Sequence, residues 1–501
     1  MIWLLFLSLL DPRYHTAGEV AHELDSIARN HSSITRLDTI GYSSFDSVPL
    51  FALKISDNPL ENEDEPEIHY IGCHHAEEIL GIEICMYMIS ELTSNYATDP
   101  TINDWVNNRE IWFVPLMNPD GHSVVMAPPE TTWRDTTWRD NKRDNNNNGF
   151  FELAYDGVDL NRNYDFYWTE GGSTDPSSEF YKGPYSFSEN ETRAIRDLAL
   201  ANNFTFCITY HSARYGLTEV VYFPWDWEGG YSPDFPCIRT IADSISKRII
   251  KDSGIGYYSA LPGQGLDGRA RNWLYGVCGI YTYCIEVGTT TIPPGWMVDD
   301  ICQRNLPGAY YLLERVSESG ISGCIYDSLT GEPLSAEIII HSYYDPNLPP
   351  RRSDSKYGRF LRMLKPGTYD IEIRKTGYVS VHFNDLQIIE GQMNEFDILM
   401  ARTGGELPAV IPQKKIKVRP NPSSNYVLIE MDDGMELTSL SVYDVTGRLV
   451  KNFQNPDRTM FWQGLDEQNR EVAEGIYWLL GKNDDNQTVQ KIVLIRSSVN
   501  R

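Results

Sequence analysis

Between Ala17 and Ser317, apolar runs of strand length alternate with stretches whose apolar positions recur at helical spacing. That alternation limits the fold more than any other feature of the chain. Over residues 17–30, Val20, Leu24, Ile27 and Ala28 fall on one helix face, and residues 49–55 alternate like a strand. A strand over 67–73 runs into a helix over about 78–96, with Ile79, Ile82, Met86 and Ile89 inward. Residues 110–117 read as a further buried strand, and Ser188-Glu189-Asn190-Glu191 as a capping box opening a helix to about Asn202. Strands over 204–210 and 219–223, a helix near 234–252, a strand over 280–285 and a last helix ending near Ser317 complete the series. It predicts an α/β domain over 12–318, with a mostly buried, mixed central sheet flanked by helices.

After Glu318 the texture changes. Short alternating segments at 323–327, 336–340, 367–373 and 396–400, with turn residues between them, predict a small β-sandwich over 319–402. Residues 403–413, with Gly404-Gly405 and Pro408, read as a linker. A second all-β module follows over 414–501, beginning Val418-Arg419-Pro420-Asn421-Pro422. A chain of 501 residues exceeds one ordinary core, so several domains are expected. Apolar residues at 41% and aromatics at 12% describe globular material rather than disorder. The 43 basic against 70 acidic residues, a net charge of -27, argue against nucleic acid or an anionic membrane as partner.

Residues 1–10 are an apolar run of signal-peptide length without the basic residues that precede one. They read as a partial secretion signal ending near residue 11, with a buried N-terminal segment as the competing reading. No stretch reaches membrane length, so no transmembrane segment is expected. The 8 cysteines are scattered without a CxxC, which excludes a zinc ribbon or redox pair and leaves room for one or two disulfides.

The junction Gly72-Cys73-His74-His75-Ala76-Glu77-Glu78 places His75 and Glu78 at i and i+3, side by side on one helical face. An imidazole and a carboxylate so placed can share one Zn²⁺, with a third protein ligand and a water still to be supplied. Alone the motif is weak. With 10 His, roughly one such pair is expected by chance, and His74 with Glu77 is an overlapping pair about 100° round the helix. In open α/β sheets, however, sites form beyond the carboxyl ends of strands. His75 follows the strand at 67–73, His211 follows the one at 204–210, and Glu286 caps the one at 280–285. A single such His or Glu reads more readily as structural; three at three strand ends weigh against that.

Trp138-Arg139 through Arg143, and Gly157-Val158-Asp159-Leu160-Asn161-Arg162-Asn163-Tyr164, gather guanidinium groups suited to gripping a carboxylate. Surface charge decoration is the competing reading. Residues 144–149 carry oxygen donors at alternate positions and a Gly at the sixth, as in half of a calcium loop. Tyr155 stands where such a loop needs its Glu, so a polar surface loop is favoured.

The order His75-x-x-Glu78, Asn118-Pro119-Asp120-Gly121, Trp138-Arg139, Gly157 to Asn163, His211-Ser212, Tyr222-Phe223-Pro224 and Glu286 resembles the zinc metallocarboxypeptidases of the carboxypeptidase A/B and carboxypeptidase T type over residues 12–317. The resemblance selects His75 with Glu78 over His74 with Glu77. It implies one Zn²⁺ in the catalytic domain, held by His75, Glu78 and His211, with a metal-activated water. It further implies Glu286 as general base and Arg139 as oxyanion stabiliser, with Trp133-Arg134 as a rival for the second role. Asn161 and Arg162 would clamp the substrate's terminal carboxylate.

Two departures from the family pattern stand out. Nine residues before Trp273, where the family has a Tyr on a mobile loop, stands Gln264; either Tyr258 reaches in from a lengthened loop or the group is missing. Two residues before Trp273, at the base of the side-chain pocket, stands Arg271. A cation there implies preference for a C-terminal Asp or Glu.

Residues 320–400 resemble the transthyretin-like, carboxypeptidase regulatory-like sandwich. Residues 414–498, with Asn421-Pro422, Tyr443 through Arg448 and Gly475-Ile476-Tyr477, resemble C-terminal sorting domains of type IX secretion, a plain adhesion module being the alternative. Together these imply a secreted or cell-surface peptidase acting on peptides or proteins with a free C-terminus, exported by machinery that reads the tail. No domain-sized prosegment precedes residue 12, so inhibition by a folded pro-domain is not expected. A cell-wall stem-peptide peptidase on the same fold, and a non-catalytic surface binding protein, are the other readings.

Overall fold

Thr16 opens the first helix with a capping box: its side chain accepts from the Glu19 amide, and the Glu19 carboxylate accepts from the Thr16 amide at 2.8 Å. The computed structural model describes the chain except residues 1–9, 215, 228–229, 266, 404–408, 413–415, 420–426, 432–436, 445–447, 455, 483–486 and 495–501. The apolar leader up to residue 9, most of the predicted linker, Asn421-Pro422 and the middle of the Tyr443 to Arg448 motif lie outside the described residues. Two compact units are formed, 1–410 and 411–501.

In the first unit α1 (Ala17–Asn30), β1 (Thr35–Tyr42), β2 (Pro49–Ile55), β3 (Glu67–Gly72), α2 (Leu80–Asn95), α3 (Pro100–Asn107), β4 (Glu110–Val114) and α4 (Pro119–Val125) come first. Then follow α5 (Asn190–Ala201), β5 (Phe204–Ser212), β6 (Val220–Phe223), the two-residue pair β7 (Asp226–Trp227) and β8 (Gly230–Tyr231), and α6 (Phe235–Ser246). β9 (Ser259–Pro262), α7 (Ala270–Gly276), β10 (Tyr281–Val287) and α8 (Val298–Arg315) complete the α/β part. Eight strands make one mixed sheet in the order β1-β2-β4-β3-β5-β10-β6-β9. Its centre, β4, β3, β5 and β10, is parallel and fully or almost fully buried, as expected where helices cover both faces.

The short helices carry start signals in place of periodicity. Asp99 caps α3 ahead of Pro100, and Asn118 caps α4 ahead of Pro119. The predicted capping box at Ser188 does not form. The Ser188 hydroxyl is taken by Asn163 and Glu189, and the Glu191 carboxylate accepts from Ser44, so α5 starts without a side-chain cap. The helix predicted over 234–252 stops at Ser246. All eight cysteines are free thiols, seven of them buried, so no disulfide forms.

The sandwich supplies β11 (Gly320–Asp327), β12 (Glu337–Ile340), β13 (Arg359–Met363), β14 (Gly367–Arg374), β15 (Val381–Ile388) and β16 (Met393–Met400). One sheet contains the order β13-β11-β16 and the other is β12-β14-β15, closed over a core that includes Ile325, Ile338, Ile371 and Ile398. In the second unit, strands between Ile416 and Leu494 form two sheets around Val427, Leu440, Trp462 and Leu479. Among the described residues, no helix is long and apolar enough to cross a membrane.

Candidate functional site

Strand β3 ends at Gly72, and the chain turns into α2 through Cys73 in the left-handed region at φ 57. A side chain rarely adopts that conformation unless its surroundings impose it. Gly72 has no freedom to carry one either: a Cβ there would lie 2.3 Å from the Pro115 carbonyl oxygen and 2.6 Å from that of Gly81. The turn aims His75 and Glu78 across the carboxyl end of the sheet. His211 and Glu286 lie inside β5 and β10 rather than beyond them, and are direct partners in the parallel register.

Three groups converge. His75 Nδ1 is 2.9 Å from one Glu78 oxygen, and His211 Nδ1 is 2.7 Å from the other. The two Nδ1 atoms are 3.1 Å apart. Four-coordinate zinc with bonds of about 2.0–2.1 Å spaces its ligand atoms by about 3.3 Å, so the set has the size and donor chemistry of a zinc site. Two imidazole nitrogens facing each other beside a carboxylate are poorly matched as hydrogen-bond partners and well matched as co-ligands. The opposite nitrogen of His75 lies 3.4 Å from Asp159 Oδ1, the carboxylate–histidine arrangement that orients a metal ligand.

All three are buried, whereas Glu286 is partly exposed with an oxygen within 4.8 Å of a His211 nitrogen. Burial raises the Glu78 carboxyl, but His75 and His211 outweigh it and hold the group well below its ordinary range. Burial, and then the Glu78 charge, push the Glu286 carboxyl well above its range. His74 and Glu77 are not brought together: His74 Nε2 meets the Tyr164 hydroxyl at 3.2 Å, and Glu77 pairs with Arg214.

The basic residues form a wall beside this centre. Arg139 donates through Nε to Asp159 at 3.0 Å, and its Nη1 lies 3.6 Å from Glu78. Burial alone would weaken its charge; Asp159 and then Glu78 more than restore it. Arg162 donates to the Asn161 carbonyl at 2.8 Å, and the Phe180 ring lies against both Arg139 and Arg162, at 5.5 and 5.9 Å. The Asn161 side-chain oxygen accepts from the Ala270 amide at 3.0 Å, which leaves its amide nitrogen as the donor.

Arg271 is 5% exposed, and its Nε and Nη2 have no hydrogen-bond partner. Its guanidinium fits where it does because position 263 is glycine: a Cβ there would sit 1.9 Å from Nη2. Tyr258 is buried, and its hydroxyl accepts from the Gly288 amide at 2.9 Å, so it cannot close over a substrate without breaking that contact. Residues 144–149 form an exposed loop in which Asp144 accepts from the Asn148 and Gly149 amides.

Sequence reasoning missed two participants. Asp159 joins His75, Arg139 and the Asn161 amide, the last at 2.9 Å. Arg269, tied to Asp267 at 2.9 Å and to the Gln264 carbonyl, adds a positive charge felt by Arg162 and Glu286. The signal for Asp159 was a carboxylate flanked by apolar Val158 and Leu160; Arg269 had none beyond its nearness to Arg271.

A family profile described as zinc carboxypeptidase matches residues 20–308, and one described as a secretion system C-terminal sorting domain matches residues 417–495. A zinc carboxypeptidase from Saccharothrix mutabilis subsp. capreolus is 28% identical over 301 residues, 57% of this chain and 64% of that protein. Carboxypeptidase B from Astacus astacus is 28% identical over 284 residues, 55% of this chain and 87% of that one. The chain therefore spans less than two thirds of the first relative's length. The solved carboxypeptidase A from Helicoverpa armigera superimposes with a TM-score of 0.52 at 19% identity, covering 59% of this chain and 72% of that one, a likeness of fold.

Proposed function

The chain belongs to the zinc carboxypeptidase family, and from that we propose that it is an exported metallocarboxypeptidase that releases C-terminal residues from peptides, acidic ones fastest. The observation that carries this reading is the convergence of His75, Glu78 and His211 to ligand spacing, with Glu286 on the accessible side. Those three residues would hold zinc, which would supply a Lewis acid able to polarise a carbonyl and to make water nucleophilic near neutral pH. Glu286 takes the proton of the attacking water and delivers it to the departing amine. Arg139, fixed by Asp159, stabilises negative charge developing on the scissile carbonyl oxygen. The Asn161 amide and Arg162 bind the terminal carboxylate, which restricts cleavage to the last residue.

Arg271 sets side-chain preference. A buried guanidinium with unpartnered nitrogens gains charge-assisted hydrogen bonds from a substrate Asp or Glu and stays unpaired against Leu. The match to a sorting domain at 417–495 supports export through machinery that recognises that module. The test compares release of C-terminal Glu, Leu and Lys from matched peptides, with and without a zinc chelator. The reading predicts trimming that chelation abolishes and zinc restores, with Glu released roughly tenfold faster than Leu or more. Trimming insensitive to chelation would overturn the enzyme assignment; faster release of Leu would overturn the role of Arg271.

A further inference from the structure

Helix α7 is seven residues long, two turns that would not hold together in isolation. Its amino end is built into the site: the Ala270 amide donates to Asn161, Arg271 is the next residue, and Asn272 donates to the Gly265 carbonyl at 2.9 Å. Its other end is packed within the α/β part, with Trp225 against the Tyr275 ring, and two arginines of the sandwich add to that hold. Arg351 lies over the Tyr275 ring at 4.8 Å and donates to the Gly276 carbonyl at 3.4 Å. The Trp273, Leu274 and Tyr275 carbonyls accept amides of residues 277, 280 and 279, so the Gly276 carbonyl is the one left to Arg351, whose charge also meets the negative end of the helix dipole.

Arg362 of β13 reaches into the α/β part and places Nη2 2.6 Å from Asp234. The second Asp234 oxygen accepts from the Tyr275 hydroxyl at 2.7 Å, and that hydroxyl accepts from the Asp234 amide at 3.0 Å. Arg362, Asp234 and Tyr275 are all buried, so the pairing is little screened by salt. Tyr281 closes the group by donating to the Met363 carbonyl at 3.2 Å.

We propose that the first β-sandwich positions the substrate-binding helix: Arg351 and Arg362 grip the carboxyl end of α7 and so fix Arg271 and the Asn161 contact at its amino end. The two arginines are positioning residues, acting on substrate only through α7. The effect falls on binding of the terminal residue, because α7 carries none of His75, Glu78, His211 or Glu286.

The proposal rests on the carboxypeptidase reading, and two measurements on the full chain separate their failures. Amide exchange needs no activity. Arg351→Ala, Arg362→Gln and Tyr275→Phe are each expected to speed exchange over 270–276 while exchange over 80–95 keeps the parent's rate. Kinetics on a peptide ending in Glu should show KM rising roughly tenfold with kcat within about twofold, and Arg351→Lys recovering part of the loss. Tyr275→Phe removes one hydroxyl only and serves if Arg362→Gln does not fold. Parent-like exchange over 270–276 in the variants, or faster exchange there with KM unchanged, overturns the proposal. A parent chain that trims no peptide overturns the carboxypeptidase reading, while the exchange result still decides whether the sandwich holds α7.

Discussion

Asp159 accepts from Arg139 at 3.0 Å and from the Asn161 amide at 2.9 Å, and stands 3.4 Å from His75. One buried carboxylate thus orients the proposed metal ligand His75, the arginine proposed for the oxyanion and the loop proposed to hold the terminal carboxylate. Asp159→Asn keeps the shape and removes the charge. It should lower zinc affinity by roughly 10–100-fold, read by titration against a competing chelator; parent-like affinity would refute this role. Glu286→Gln should leave zinc bound and KM near the parent's while kcat falls by about 10²–10⁴, and a kcat within threefold would remove Glu286 as base. That His75, Glu78, His211 and Glu286 come together was suggested in the sequence by their places at or near the carboxyl ends of three predicted strands, and the choice of His75 with Glu78 over His74 with Glu77 by the family resemblance. Asp159 was not, since a lone Asp in a loop has no period and only burial reveals what it balances. For Tyr258 the sequence left two readings, and counting along a loop cannot see that the Gly288 amide already donates to its hydroxyl.

At the scale of elements, the β3-to-α2 turn carries the most constraint. Gly72 lies against two carbonyl oxygens, and Cys73 takes a left-handed conformation shortly before the proposed ligands His75 and Glu78. Gly72→Ala should destabilise the chain by about 1–3 kcal/mol through overpacking and lower zinc occupancy, checked by thermal melting and metal analysis; a parent-like melt would show that the turn can yield. α1 and β2 were legible to their end residues because two or more periods of apolar positions lie within each. α3, α4 and α7, at seven or eight residues, show too little of a helical period to be read. The Ser188 pattern failed because a capping box is a local rule, and here Asn163 and Ser44, distant in sequence, compete for the same groups.

Across the whole molecule, two buried imidazoles tie stability to pH. His69, stacked on Phe204 at 4.7 Å, and His122 have no hydrogen-bond partner on either ring nitrogen. Burial lowers His69 to about 3 and His122, which His15 lowers further, to about 4. Both folded values lie below the unfolded one near 6.5, so the unfolded chain takes up protons first on acidification. Their contribution is complete above about pH 6.5 and lost as pH falls toward 4 and then 3, by roughly 3 kcal/mol for His122 alone. Denaturant unfolding at pH 7 and pH 4.5 should show His122→Asn flattening that fall, and an unchanged slope would contradict it. The mixed sheet was legible because alternation of strand and helix leaves few other layerings, while the grip of the sandwich on α7 depends on side chains far apart in sequence.

The central claim is that His75, Glu78 and His211 hold one ion that the activity requires. Metal analysis of the purified chain beside His75→Ala, Glu78→Gln and His211→Ala tests it most directly. One zinc per chain in the parent, lost in each variant together with C-terminal trimming, is the predicted result. Full zinc content in His211→Ala, or trimming by a zinc-free chain, would contradict it.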